Sequence, residues 1–156
     1  MDDIVLMRAL HVLAVIHWIG GLSFVTLVVL PLAGLRTTVE ETLSMFEIVE
    51  RRFSAQVRVS IPIVGATGLW IVWRLDLWDR FLDPAYWWMG AMAGLWLIFM
   101  AVLFVVEPLM HARVARRSRA HPATALRLIS RMHCALLVLA GITAFGAVGG
   151  AHGLFL

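Results

Sequence analysis

The stretch RALHVLAVIHWIGG, residues 8–21, carries two histidines inside a long apolar run. That run extends over residues 4–35, whereas about 20 predominantly apolar residues are enough to cross the hydrocarbon core of a bilayer. It is also longer than the apolar core of a secretory signal, which has roughly 7 to 15 residues. The stretch therefore predicts a retained membrane-spanning helix that contains two imidazoles.

The remainder of the chain has the same character. Of its 156 residues, 62% are hydrophobic and only 15% are charged, and the mean hydropathy is +0.90. Three further apolar stretches, residues 57–77, 85–110 and 132–156, are long enough to span a membrane. We therefore predict an all-α fold, an integral membrane four-helix bundle, formed by a single transmembrane domain over residues 1–156.

The segment TTVEETLSMFEIVERRF, residues 37–53, predicts one more helical element. Thr38 and Glu41 have the spacing of a capping box, which marks a helix start. Apolar residues then recur at intervals of three or four, as in an amphipathic helix. We expect a short amphipathic helix in the first inner loop, with this apolar face: Leu43, Phe46, Val49 and Phe53.

The basic residues indicate the orientation. The chain has no lysine, so all 13 basic residues are arginines, and they concentrate between the first and second and between the third and fourth apolar stretches. The positive-inside rule places both of these connections inside and both termini outside, as in a multi-pass protein of a bacterial-type inner (plasma) membrane. This topology and anionic membrane lipids account for the pI near 10.4, so no nucleic-acid partner is required.

The histidines can be ordered by depth, because a helix rises about 1.5 Å per residue. His11 falls in the outer third of the first span, and His17 lies roughly 9 Å deeper. The fourth span runs in the opposite direction, which places His133 near the inner face and His152 near the outer face. Histidines at one level on different helices can hold a haem, so we predict His11 and His152 as metal ligands. His17 and His133 are further cofactor-binding candidates, or packing residues with interhelical hydrogen bonds.

One stripe of the fourth span has little side-chain bulk. Gly141, Phe145, Gly149 and His152 recur at spacings of three or four. Such a stripe allows close approach by the face of a haem or, as commonly, by another helix.

The segments RALHVLAVIHWIGGL, FEIVERRF and GATGLWIVW resemble a family of small multi-span membrane proteins. That family includes the HemJ-type protoporphyrinogen oxidases and the CopD-type proteins linked to copper handling, and the resemblance is clearest over residues 8–73. In HemJ-type proteins the histidine of the first span is regarded as a haem b ligand, which implies this role for His11. Those proteins also carry a histidine and a lysine in the third span, whereas WWMGAMAGLWLIFM has neither. The later segments look more like the CopD-type branch.

Glu107 is the charged candidate at the inner end of the third span. Arg52, Arg58 and Arg113 are its candidate partners, and the resemblance of the Glu-Arg-Arg motif favours Arg52. We predict a structural ion pair between Glu107 and Arg52 rather than a proton relay.

These observations predict a membrane-embedded haem b protein that transfers electrons at the outer side of the membrane. The expected partner is a redox protein or a quinone. The sequence is also compatible with a homo-oligomer. The first alternative is a CopD-type copper transport or handling protein. The second is a haem-dependent oxidase related to protoporphyrinogen oxidase, a membrane oxidoreductase with an open axial position. A subunit with a purely structural role is the third. The copper alternative has these methionines as candidate ligands: Met89, Met92, Met100, Met110 and Met132.

Overall fold

The computed structural model describes residues 2–32, 38–109 and 120–154. This part of the chain contains four helices that are long and apolar enough to cross a membrane, which confirms the predicted all-α four-helix architecture. We number them α1 (Asp2–Phe24), α2 (Val39–Arg74), α3 (Trp87–Ala101) and α4 (Pro122–Ala151). α1 continues through a π-helical turn at Val25–Val29, and α3 continues through one at Val102–Val106.

α1 and α2 form the most extensive helix pair of the bundle. They are antiparallel, and Asp3 Oδ2 lies 3.5 Å from Arg74 Nε where α1 begins and α2 ends. We call this end of the bundle, where α1 begins and α4 ends, the terminal end, and the opposite end the loop end. The main core lies between all four helices and includes Trp18, Ile61 and Phe99. A smaller cluster around Phe46 extends this core towards the loop end.

The amphipathic segment is the first part of α2. The predicted capping box is present, because Thr38 Oγ1 accepts from the Glu41 amide at 3.3 Å and Glu41 Oε2 accepts from the Thr38 amide at 2.8 Å. The prediction of a separate short helix is wrong, since α2 continues without a break to Arg74. A span must satisfy its backbone internally, and Pro62 removes only one donor from that helix.

The fourth span also begins earlier than the apolar pattern suggests. α4 starts at Pro122 rather than at residue 132. Proline suits the first position of a helix because its missing N–H would have had no partner there. At the other end, α4 stops at Ala151 and Gly153 follows with φ of 81°.

Aromatic rings that pack against glycines allow neighbouring helices to approach closely. A Cβ atom on any of four glycines would overlap a ring from the neighbouring helix, so a side chain at these positions would force the ring to move. Trp96 also donates its indole N–H to the Ile61 carbonyl at 2.9 Å. The ring and glycine pairs are Phe53 on Gly21, Trp96 on Gly65, Trp87 on Gly146, and Trp88 on Gly150.

Candidate functional site

His11 contacts α2 in the half of α1 nearer the terminal end. Its Nδ1 lies 3.0 Å from the Val64 carbonyl oxygen and 3.0 Å from Thr67 Oγ1. The Thr67 hydroxyl is itself within 2.6 Å of the Ile63 carbonyl, to which it donates. Because a carbonyl oxygen can only accept, the hydrogen of the neutral His11 ring is on Nδ1.

The ring of His11 is held in place by a small neighbour as well as by hydrogen bonds. A Cβ atom at Gly68 would lie 3.2 Å from His11 Cε1, so the half-buried ring lies against a position where α2 has no side chain. Its Nε2 lone pair has no hydrogen-bond partner among the described residues. A histidine that ligates a metal shows this same pattern, with one ring N–H donated to a carbonyl and the other nitrogen free.

His17, six residues further along α1, has a different environment. Its Nδ1 lies 2.8 Å from Ser60 Oγ, and its Nε2 lies 3.3 Å from Gln56 Oε1. With the amide oxygen as acceptor, Nε2 carries the hydrogen and Nδ1 of the neutral ring accepts from Ser60. The Ser60 hydroxyl shares this hydrogen with the Gln56 backbone carbonyl, which lies 3.2 Å away. Both ring nitrogens therefore have partners, and no lone pair is available to a metal.

His133 and His152 form hydrogen bonds within their own helix. His133 Nδ1 lies 3.0 Å from the Ile129 carbonyl, and its ring packs edge-on against Phe46 at a centroid distance of 5.4 Å. His152 Nδ1 lies 2.8 Å from the Val148 carbonyl, in an exposed position at the end of α4. The two residues are therefore near opposite ends of α4, as predicted from their positions in the sequence.

The contacts do not bring His11 and His152 to one level. Ala14 and Trp18 of α1 belong to the same buried cluster as Ala140 of α4. Since α1 and α4 are antiparallel, His11 corresponds to a level about three to seven residues beyond Ala140. His152 is then displaced towards the terminal end by about five to nine residues, an axial offset of roughly 7 to 14 Å. The depths estimated from the span boundaries did not include this offset.

The stripe predicted on α4 faces away from the bundle. Phe145 is 65% exposed, His152 is exposed, and a Cβ atom at Gly141 would meet nothing within 4 Å. The inward glycines are Gly146 and Gly150, which the tryptophan rings cover. A haem held between His11 and this stripe therefore does not fit the arrangement of the helices.

Glu107 forms an ion pair, but not with the predicted partner. Its Oε1 lies 3.1 Å from Arg58 Nη2, which joins the end of the third span to α2. Arg52, which the sequence favoured, lies six residues earlier in α2, roughly 9 Å along the axis and on a different face. Arg113 lies outside the described residues.

The candidate copper ligands are scattered over the bundle. Met89 is buried, Met100 packs against the main core, and Met92 and Met132 are exposed, while Met110 lies outside the described residues. Within residues 2–32, 38–109 and 120–154, no group of three or more His, Cys, Asp and Glu side chains could hold a metal ion.

The sequence reasoning missed several polar residues that surround the α1 histidines. Gln56, Ser60 and Thr67 lie on the side of α2 that faces α1, at spacings of four and seven residues. Ser60 and Thr67 could have been identified as polar residues on one side of an apolar span, whereas Gln56 precedes the predicted stretch. Trp18 was also missed: it is 3% exposed, and its Nε1 has no hydrogen-bond partner among the described residues.

No family model matches the chain, and neither the curated proteins nor the solved structures include a match.

Proposed function

We propose that this chain is a membrane-embedded redox protein that binds b-type haem with His11 as an axial ligand. The observation that carries the proposal is the hydrogen bonding of the His11 ring to a neighbouring helix. His11 Nδ1 meets the Val64 carbonyl of α2, whereas His133 and His152 meet carbonyls of their own helix. A ring held in this way, with Nε2 free, is oriented for a metal. Haem, when bound, supplies a one-electron couple, and the chain contributes the ligand and its apolar surroundings.

The surroundings of His11 support the same role. Thr67 provides a second oxygen for Nδ1–H, so the ring orientation does not depend on one contact. The absence of a side chain at Gly68 allows the ring to lie close to α2. The apolar span around the ring limits water access, which is one of the factors that set a haem potential.

The test compares two histidines on the same helix. Protein purified in detergent should show a Soret band and, after reduction, the α band of a b-type haem. His11→Ala should lose at least about 90% of the haem per chain, because an axial bond is removed. His17→Ala is the matched control and should retain haem, since both nitrogens of His17 are engaged elsewhere.

Two results would overturn the proposal. One is a preparation that stays colourless after haem is added. The other is haem retention in His11→Ala together with loss in His17→Ala. Copper quantification on the same samples addresses the alternative of a copper-handling protein, which requires stoichiometric copper in the wild type without haem.

The offset between His11 and His152 favours a second candidate, a haem-dependent oxidase. Among the described histidines, no other imidazole lies at the level of His11, so an axial position would remain open for a substrate or oxidant. Carbon monoxide distinguishes the two activities, because it binds reduced haem only where an axial position is available. A shifted Soret band would support the oxidase. An unchanged band together with haem loss in His152→Ala would support an electron-transfer haem that is held by two histidines.

We also propose that both termini lie outside a bacterial-type inner membrane. Arginines at the loop end of the bundle, including Arg51, Arg52, Arg127 and Arg131, support this orientation through the positive-inside rule. A periplasmic reporter fused after residue 156 should be active, and one inserted in the loop between α3 and α4 should be inactive. The opposite pattern would reverse the orientation.

A further inference from the structure

The first and third spans end in similar sequences. VTLVVLPL occupies residues 25–32 and VLFVVEPL occupies residues 102–109, and five of the eight positions are identical. In both segments the first five residues form a π-helical turn, Val25–Val29 in the first span and Val102–Val106 in the third. Because π-helical turns are rare, two of them at the same point of two similar segments indicate that α1 and α3 are equivalent.

The equivalence continues along both helices. Alignment of Val25 with Val102 pairs each residue of α1 with the residue 77 positions later. Over residues 18–28 and 95–105, no buried position is paired with an exposed one. An inward face is common to all helices of a bundle, but the bundle does not require that face to keep a fixed register with a π-helical turn. Three pairs are buried in both helices: Trp18 with Leu95, Leu22 with Phe99, and Thr26 with Leu103.

The same alignment pairs His11 with Trp88, and each of these rings lies against a glycine of the next helix. A Cβ atom at Gly68 would lie 3.2 Å from the His11 ring, and one at Gly150 would overlap the Trp88 ring. Both couples lie in the half of the bundle nearer the terminal end. Each helical hairpin, α1 with α2 and α3 with α4, therefore has a ring on a glycine at the equivalent place.

The residues that face these rings also correspond. Alignment of the two glycines pairs each residue of α2 with the residue 82 positions later. Two of the resulting pairs are buried in both helices: Ile61 with Thr143, and Val64 with Gly146. The Val64 carbonyl lies 3.0 Å from the His11 ring, and a Cβ atom at Gly146 would lie 3.2 Å from Trp88 Cβ. The larger ring therefore faces the smaller residue.

We propose that the two hairpins are copies of one unit, and that Trp88 fills in the second copy the ring position that His11 holds in the first. The chain then has two equivalent ring positions, of which one has a metal-binding nitrogen. An indole has an N–H donor and no lone pair for a metal, so the second position is closed to metals. The proposal concerns the ring positions and does not depend on haem.

A double-mutant cycle on the full chain without haem tests whether the first position accepts the residues of the second. His11→Trp alone places a larger ring beside Val64, and Val64→Gly alone leaves a void, so each should destabilise the protein. The double variant combines the tryptophan and the glycine of the second copy. It should recover about tenfold in the unfolding equilibrium constant, relative to independent effects of the two changes. Unfolding in mixed micelles gives the four values.

The matched control combines His17→Trp with Val64→Gly. His17 lies six residues from His11 and contacts Ser60 and Gln56 instead of Val64. The two changes should therefore act independently.

Distances between spin labels test the alignment without changing the packed residues. Labels on Leu27→Cys and Ala66→Cys mark the first hairpin, and labels on Phe104→Cys and Val148→Cys mark the paired positions of the second. All four residues are exposed, and Cys134→Ala removes the exposed free cysteine. In lipid nanodiscs the two distances should agree within about one helical turn, roughly 5.4 Å.

Labels on Phe104→Cys and Leu139→Cys provide the control for the distances. Leu139 lies nine residues nearer the loop end than Val148, so this distance should be shorter by roughly 10 Å. The proposal is overturned if the two hairpin distances differ by as much as the control does, or if the double variant shows no recovery. It is also overturned if His17→Trp couples to Val64→Gly as strongly as His11→Trp does. The distances decide alone if a packing variant does not fold, and haem is measured separately, so failure of the haem proposal remains distinguishable.

Discussion

His11 and His17 lie six residues apart on α1 and contact the same neighbouring helix, but their rings are used in opposite ways. His11 meets a backbone carbonyl, Val64 O, which fixes the hydrogen on Nδ1 and leaves Nε2 free. His17 meets two side chains, Ser60 and Gln56, which engage both nitrogens. The type of group that α2 presents, rather than depth in the membrane, decides which of the two rings keeps a free Nε2.

The two regions also differ in what surrounds the ring. His11 is half-buried against Gly68, whereas His17 is exposed. The ring proposed as a cofactor ligand is therefore the less accessible of the two.

The largest effect should come from filling the space beside His11. Gly68→Val places a branched side chain where even a Cβ atom would be 3.2 Å from His11 Cε1, so the ring must move. We expect a loss of about 1–3 kcal/mol in the free energy of unfolding, as for other overpacked sites, together with loss of bound haem. Unfolding in mixed micelles and the absorption spectrum measure the two effects.

Gly20→Val is the control, because a Cβ atom at Gly20 meets nothing within 4 Å. It introduces the same side chain into α1 and should leave the haem spectrum unchanged. Equal effects of the two variants would mean that the space at Gly68 is unrelated to the position of the His11 ring.

A smaller effect is expected from removing single hydroxyl groups. Ser60→Ala leaves Nδ1 of His17 without its hydrogen-bond donor and should cost about 0.6 kcal/mol, typical of hydrogen bonds between membrane helices. Thr67→Val should cost less, because His11 Nδ1–H keeps the Val64 carbonyl as acceptor. Unfolding of both variants in mixed micelles gives the order, and a larger loss for Thr67→Val would contradict the assigned acceptors.

The smallest effect is a difference between the tautomers of two rings in the wild-type protein. Nitrogen-15 NMR of histidine-labelled protein, prepared without haem near pH 8, should show His11 with its hydrogen on Nδ1 and His17 with its hydrogen on Nε2. The difference follows from carbonyl and amide oxygens as obligatory acceptors. Assignment of the signals by His11→Ala and His17→Ala would check it, and identical tautomers would remove the contrast between the two sites.

Much of the fold could be predicted from the sequence, because the thickness of the bilayer sets the length of an apolar span. The capping box at Thr38 was predictable for the same kind of reason, since it depends on residues three apart. The inward face of α4 was not, because lipid and protein interior are both apolar and hydropathy does not distinguish them. Gly141 and Gly146 therefore look alike in the sequence, although only Gly146 is covered by a ring.

The site was less predictable than the fold. His11 could be selected as a candidate from the sequence because it is an imidazole in a span, and the structure adds its hydrogen-bond partners on α2. Its pairing with His152 rested on counting residues from span ends, which are uncertain because α2 and α4 extend beyond their apolar stretches. The predicted partner of Glu107 was wrong for a similar reason, because a motif does not specify which turn of α2 lies opposite the end of the third span.

The rings seated on glycines have a consequence for how this chain can diverge. Trp88 and Gly150, like Trp96 and Gly65, occupy one shared volume contributed by two helices. Alanine at either glycine would clash unless the facing tryptophan became smaller, and a smaller residue facing a retained glycine would leave a void. Each couple should therefore change as a unit over evolutionary time, so sequences of distant relatives should show paired replacements at residues 88 and 150 and at residues 65 and 96.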